Sequence, residues 1–296
     1  MNAASILLLA LAAIFHAVSQ ALIKGAKDSA SFSWLLLGTT AVLGVPSLLL
    51  LDGVPPVAWA IVIASGIAEA AYFRTLSEAY SRGELSSVYP VARGSAPLFT
   101  LIWSAVFLGE RPSAIGVGGI VVVVAGIYLS RLERLSDWSR PFRGFRGGTP
   151  WALATGLLIS AYTTIDKTGV RYFEPIAYLY LVLAVAFVAQ APLMLGPRRR
   201  AAVAREIGRS GQGRWRPDAR SCIRIVGATA LAFAAYTLVL GALRLSPASY
   251  VATVRELSVV LGAWIGVRFM GEKGGALRIA GAVLVATGIL AIALGG

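Results

Sequence analysis

The sequence predicts an all-α polytopic membrane protein, with ten transmembrane helices in a five-plus-five inverted repeat. Three observations lead there. The 296 residues are 57% hydrophobic and only 14% charged, where a soluble domain carries about a quarter charged residues. The apolar residues fall into blocks of about 20, the length a helix needs to cross the hydrocarbon core. The two halves also resemble each other. Residues 88–127 (VYPVARGSAPLFTLIWSAVFLGERPSAIGVGGIVVVVAGI) align without a gap against residues 250–289 (YVATVRELSVVLGAWIGVRFMGEKGGALRIAGAVLVATGI). Arg93 matches Arg255, Glu110 matches Glu272, Gly119 matches Gly281 and Gly126 matches Gly288, each pair 162 residues apart (255 − 93, 272 − 110, 281 − 119, 288 − 126). A transmembrane barrel would need short alternating segments, and the chain has none.

The expected spans run roughly over 4–24, 33–51, 57–80, 86–108, 113–130, 150–168, 175–195, 223–243, 248–269 and 275–294. Turn residues bracket them: Asp52-Gly53 with Pro55-Pro56, Arg82-Gly83, Arg111-Pro112, Ser246-Pro247 and Gly274-Gly275. The first span has no basic stretch before it and goes on to carry His16, Gln20 and Lys24. It therefore reads as a spanning helix and not as a cleaved signal. The longer connections are 131–149, between the halves, and 197–220, the most basic stretch. The latter reads as a solvated loop with an amphipathic piece on anionic headgroups. The halves divide as 1–140 and 141–296. Five spans per half is an odd number, so the second half must enter the bilayer the opposite way up.

Lysines and arginines concentrate after the odd-numbered spans: Lys24, Lys27, Arg82, the 131–146 group, the 198–220 group and Lys273. Those loops are expected to be cytoplasmic, with both termini outside. The net charge of +13 thus reflects topology, not nucleic-acid binding. One cysteine excludes an internal disulfide, and one histidine excludes a His-cluster metal site. No nucleophile elbow, phosphate loop or haem pattern is present. The chain reads as a non-enzyme without metal or cofactor.

A charge near the bilayer centre costs about 2.5–3.5 kcal/mol on insertion scales, so such residues mark function. Arg93 and Arg255 lie mid-span, Glu256 adjoins Arg255, Glu69 lies in the third span, and His16 and Gln20 lie in the first. A guanidinium facing a wet cavity can clamp a carboxylate through two parallel hydrogen bonds. It can equally brace helices by pairing with Glu69 or Glu256. Pro90 removes a helix hydrogen bond three residues before Arg93, and irregular backbone at membrane depth belongs in protein interior or a wet cavity. Pro90, Glu69 and Glu256 are therefore coupling or gating candidates. Tyr72, Tyr89, Tyr162, Tyr236 and Tyr250 are candidate cavity lining, because a ring with a hydroxyl suits a partly apolar ligand. The glycines at 116, 118, 119, 126, 274, 275, 281 and 288 read as a close helix contact in the scaffold.

Ten spans, an inverted repeat and a Gly-Glu-Arg/Lys turn closing the fourth and ninth spans resemble the drug/metabolite transporter superfamily. Within it, the resemblance is to the EamA-type bacterial metabolite exporters, including aromatic amino-acid exporters. It implies a cavity lined by spans 1, 3, 4, 6, 8 and 9, with spans 5 and 10 as scaffold. It implies export of amino acids or similar metabolites across the inner membrane by alternating access. The four-helix multidrug relatives carry an essential glutamate in their first helix, where this chain has His16 and Gln20. The expected function is secondary transport of a small-molecule substrate, most of all an amino acid with an apolar or aromatic side chain, by a monomer among membrane lipids. The alternative keeps the fold and moves hydrophobic cations or drugs against protons, with Glu69 or Glu256 as the essential acid. A membrane enzyme would need catalytic polar groups at one membrane face, and the sequence offers none.

Overall fold

The computed structural model describes residues 1–24, 26–82, 85–130, 132, 134–137, 147–211, 214–258, 260–261 and 276–295. In chain order come α1 (Ala3–Lys24), α2 (Ser29–Leu43) with a 3₁₀ extension (Val45–Leu50), α3 (Pro56–Arg82), α4 (Leu85–Leu108) and α5 (Ala114–Leu129). After a 3₁₀ turn (Leu135–Asp137) follow α6 (Thr149–Gly169), α7 (Pro175–Met194) and the short α8 (Pro197–Ile207). A hairpin then pairs β1 (Gly208–Gly211) with β2 (Arg214–Pro217) antiparallel. The chain ends in α9 (Ala219–Leu245), α10 (Ala248–Val254) and α11 (Ala276–Gly295). The first seven expected spans coincide with α1 to α7, the eighth with α9, the start of the ninth with α10 and the tenth with α11. The Gly-Glu-Lys turn at 271–273 lies outside the described residues. The basic connection 197–220 is more ordered than a solvated loop: it holds α8 and the hairpin.

Local sequence sets the helix ends. Asp28 caps α2 by accepting from the Ser31 amide, Ser113 caps α5 from Gly116, and Asp218 caps α9 from Ser221. Five helices among the described residues are long and apolar enough to cross a bilayer: α3, residues 91–108 of α4, α7, α9 and α11. Their outward faces are apolar. Val188 is 67% exposed, Ile223 72% and Leu294 87%, an arrangement stable in hydrocarbon and costly in water.

The packing repeats under exchange of the halves. α1 packs on α9 and α3 packs on α6, the same pairing seen from each half; α5 packs on α11, α2 on α7 and α4 on α10. The α5–α11 contact fixes the direction. A methyl group added at Gly119 would stand 2.8 Å from the Gly288 carbonyl oxygen, and one at Gly126 would stand 2.7 Å from the Gly281 carbonyl oxygen. Residue number rises along one helix as it falls along the other, so these equivalent helices run antiparallel. That is the inverted repeat. Only glycine permits backbones this close.

Candidate functional site

The centre of the bundle is built on α6. Tyr162 and Asp166 lie four residues apart, one turn along one helix face. Asp166 is fully buried. Its Oδ1 accepts from the Ser65 hydroxyl of α3 at 2.5 Å and the Tyr178 hydroxyl of α7 at 2.8 Å. Its Oδ2 accepts from the Tyr236 hydroxyl of α9 at 2.6 Å. One carboxylate therefore ties four helices from both halves, through the short bonds typical of charged acceptors.

Beside it stands a wall of rings. Tyr162 meets Tyr72 edge-on at 5.9 Å and Tyr236 edge-on at 6.2 Å between centroids, an orientation the ring quadrupoles favour. The Arg255 guanidinium sits 5.8 Å from the centre of the Tyr236 ring. Arg93 from α4 donates to Glu256 Oε1 at 3.3 Å, a nearly buried ion pair joining the halves. Three polar atoms of this cluster remain unspent: Arg255 Nε, Glu69 Oε2 and Glu256 Oε2 are shielded from solvent and have no hydrogen-bond partner among the described residues. Such atoms in a protein interior call for a water or a ligand.

The backbone changes character at the same place. α10 ends at Val254, and the Glu256 and Ser258 amides bond three residues back, to Thr253 at 3.1 Å and Arg255 at 3.2 Å. This 3₁₀-type tightening within a span is a common mark of a hinge. The fourth span is helical across Pro90.

The structure thus brings together Tyr72, Arg93, Tyr162, Tyr236, Arg255 and Glu256 from the sequence-predicted set. Glu69 lies within electrostatic reach of Asp166 and Arg255, and His16 within reach of Arg93 and Arg255. Tyr250 lies apart: its hydroxyl accepts from the Ser113 amide at 3.0 Å, at the head of α5. The side chains of Gln20, Tyr89 and Pro90 lie outside the described set, although their backbone is helical. Sequence reasoning missed Asp166, Ser65 and Tyr178.

Both ends of the bundle are fastened by polar contacts. At one end Lys167 donates to the Leu243 and Ser246 carbonyls, and Arg244 donates to the Val170 and Phe173 carbonyls and pairs with Glu174. Glu110 accepts from the Ala248 amide at 2.7 Å, so the Gly-Glu-Arg turn of the first half caps α10 of the second. A cavity of about 290 Å³ lies there, bordered by Glu110, Lys167, Arg171 and Arg244. At the other end Arg199 of α8 pairs with Asp28 at 3.1 Å. Glu206 accepts from the Asp28 amide at 2.6 Å and pairs with Arg224 at 3.2 Å. A second cavity, of about 500 Å³, is bordered here by Asp28, Arg74, Glu78, Gln190 and Arg199. Burial opposes the charged form of Asp28, but hydrogen bonds from Ser31 and the nearby Arg199 outweigh it and hold the carboxyl below its usual range.

Comparison with known proteins places this arrangement. A crystallographically solved protein superposes with a TM-score of 0.71 over 99% of each chain at 17% identity, a likeness of fold alone. A 109-residue stretch is 32% identical to the chloroplastic phosphoenolpyruvate/phosphate translocator 3 of Oryza sativa subsp. japonica. That stretch is 35% of this chain and 25% of the relative, so the match spans only a quarter of the relative's length. The profile of the EamA-like transporter family matches residues 3–132 and 146–294, one match in each half. The chain belongs to the EamA-like transporter family and is an integral membrane transporter of small solutes.

Proposed function

We propose that the protein exports an amino acid with an apolar or aromatic side chain across a bacterial inner membrane by alternating access, acting as a monomer. The observation that carries this is a pair of buried, unspent groups within electrostatic reach of each other: Arg255 Nε is a donor suited to a carboxylate, and Glu69 Oε2 an acceptor suited to an ammonium. In the same cluster are the rings of Tyr72, Tyr162 and Tyr236, which match a flat apolar side chain. In this reading Arg93, held by Glu256, sets the electrostatics of the chamber and joins the halves. The halves, residues 1–140 and 141–296, rock against each other, and the 3₁₀ tightening at Arg255–Glu256 is the hinge that flexes within the second half as they do. Both termini face outward, as the Lys and Arg distribution favours.

The test is counterflow of labelled amino acids into proteoliposomes. Trans-stimulated uptake of a neutral aromatic or branched amino acid supports the reading; its absence across all neutral amino acids rejects it. A second reading, a phosphorylated or carboxylic anion, is favoured by the name of the plant relative and by the two arginines. It predicts counterflow of phosphoenolpyruvate or phosphate instead.

A further inference from the structure

We propose that Asp166 is the proton-binding site that couples transport to a pH gradient. The proposal rests on the transport activity and the amino-acid reading supplies only the probe.

The geometry separates Asp166 from the other buried acids. Glu256 has a guanidinium at 3.3 Å. Glu69 keeps one oxygen without a partner. The hydrogen-bond partners of Asp166 are three neutral hydroxyls, contributed by α3, α7 and α9. The groups acting on it are Ser65 and Glu69 on α3, Tyr178 on α7, Tyr236 on α9 and Arg255, which acts on it through space; Tyr162 lies one turn before it on its own helix, with Tyr72 against that ring. Arg93 is engaged with Glu256, and the adjoining Lys167 is turned to the carbonyls of Leu243 and Ser246. The carboxylate is therefore surrounded by groups that can exchange a proton's hydrogen bonds without leaving their places. A hydroxyl both donates and accepts. When a proton adds to Oδ2, the Tyr236 hydroxyl rotates from donating to accepting, and loss of the proton restores the first arrangement. No other bond is made or broken.

The same event acts on the helices. The charged form draws α3, α7 and α9 onto α6 through three charge-assisted bonds, each about twice as strong as a neutral one. Protonation weakens all three together. Asp166 also lies three residues from the end of α6, next to Lys167, which borders the 290 Å³ cavity at that end. A proton arriving from that side has a short way to go. Proton uptake there loosens the Ser65–Asp166 contact between the halves together with two contacts inside the second half, which is what coupling requires.

Two measurements test this. Infrared difference spectra of the purified protein at a series of pH values should show the carbonyl stretch of a protonated buried carboxyl. The band should vanish in Asp166→Asn and persist in Glu69→Gln. Persistence in Asp166→Asn, or loss in Glu69→Gln instead, overturns the proposal. Should Asp166→Asn fail to fold, Tyr236→Phe removes one bond and must displace the pH at which the band appears; an unmoved band overturns the proposal. In proteoliposomes, an imposed pH gradient should accelerate labelled phenylalanine transport by the wild type, and Asp166→Asn should lose that acceleration. Retained acceleration, or a sodium gradient serving in place of protons, overturns it. Should wild type carry no labelled amino acid, the substrate reading fails and the spectra alone decide the role of Asp166.

Discussion

Gly119 and Gly288 press backbone on backbone. A methyl group on Gly288 would stand 2.6 Å from the Gly119 carbonyl oxygen, and one on Gly119 would stand 2.8 Å from that of Gly288. The residue equivalent to Gly119 is Gly281, and it meets Gly126, the residue equivalent to Gly288. The contact is thus the same from either side, as in a two-fold interface, but written within a single chain.

Replacing Gly119 or Gly288 by valine should therefore destabilise the protein by about 1–3 kcal/mol or more, the cost of overpacking a tight contact. Gly118 is the control, since nothing lies within 4 Å of a methyl group placed there. Thermal unfolding in detergent should show a lower midpoint for the first two variants, with Gly118→Val much closer to wild type. Equal effects at all three positions would remove the case for the interface.

Arg93 and Glu256 should behave as a buried pair. Removing either partner leaves the other charge exposed to a low dielectric, at a cost of about 3–5 kcal/mol. The double replacement Arg93→Met with Glu256→Leu should recover most of that stability, because a well-packed apolar pair often equals a buried ion pair. Transport should not recover with it. Additive losses in unfolding experiments would show that the two side chains do not couple.

Arg255→Ala should lower the transport rate by about 10–100-fold, from the loss of about 1.5–3 kcal/mol of charged hydrogen bonding. Expression should remain intact. Arg255→Lys should fall between, since an ammonium keeps the charge but loses the planar fork. A wild-type rate for Arg255→Ala would remove this side chain from the substrate path.

The fastening at Asp28 should be sensitive to acid. Its folded carboxyl is held below the usual range, so its contribution to stability is complete above the ordinary carboxylate range and is lost as pH falls through the lowered value. Asp28→Ala should also lose the cap of α2, at about 0.5–2 kcal/mol. Unfolding followed from neutral to acid pH should show a steeper loss in wild type than in Asp28→Asn. Parallel curves would contradict the assignment.

Much of this was legible in the sequence for definite reasons. Span positions follow from hydrophobic length, and the constant spacing of Arg93–Arg255 and Gly126–Gly288 exposes the duplication. Membrane-buried charge is costly enough that Arg93, Arg255, Glu69 and Glu256 announce themselves. Asp166 did not, because Asp166-Lys167 close to the end of a span reads as an interfacial pair. The missed signal was its four-residue spacing from Tyr162, which puts both on one face. Tyr250 shows the opposite limit. It lies five residues before Arg255, about 140° away around an ideal helix, and the structure turns this ring toward α5. The 3₁₀ tightening at Arg255–Glu256 carries no glycine or proline to reveal it.

The most direct test of the account is the selectivity of the chamber for a zwitterion. In proteoliposomes preloaded with phenylalanine, labelled phenylalanine uptake should be inhibited by unlabelled phenylalanine. It should be inhibited far less by its decarboxylated amine or its deaminated acid, and Arg255→Ala and Glu69→Gln should each erase that discrimination. Equal inhibition by all three compounds in wild type, or unchanged discrimination in both variants, would contradict a site formed between Arg255 and Glu69.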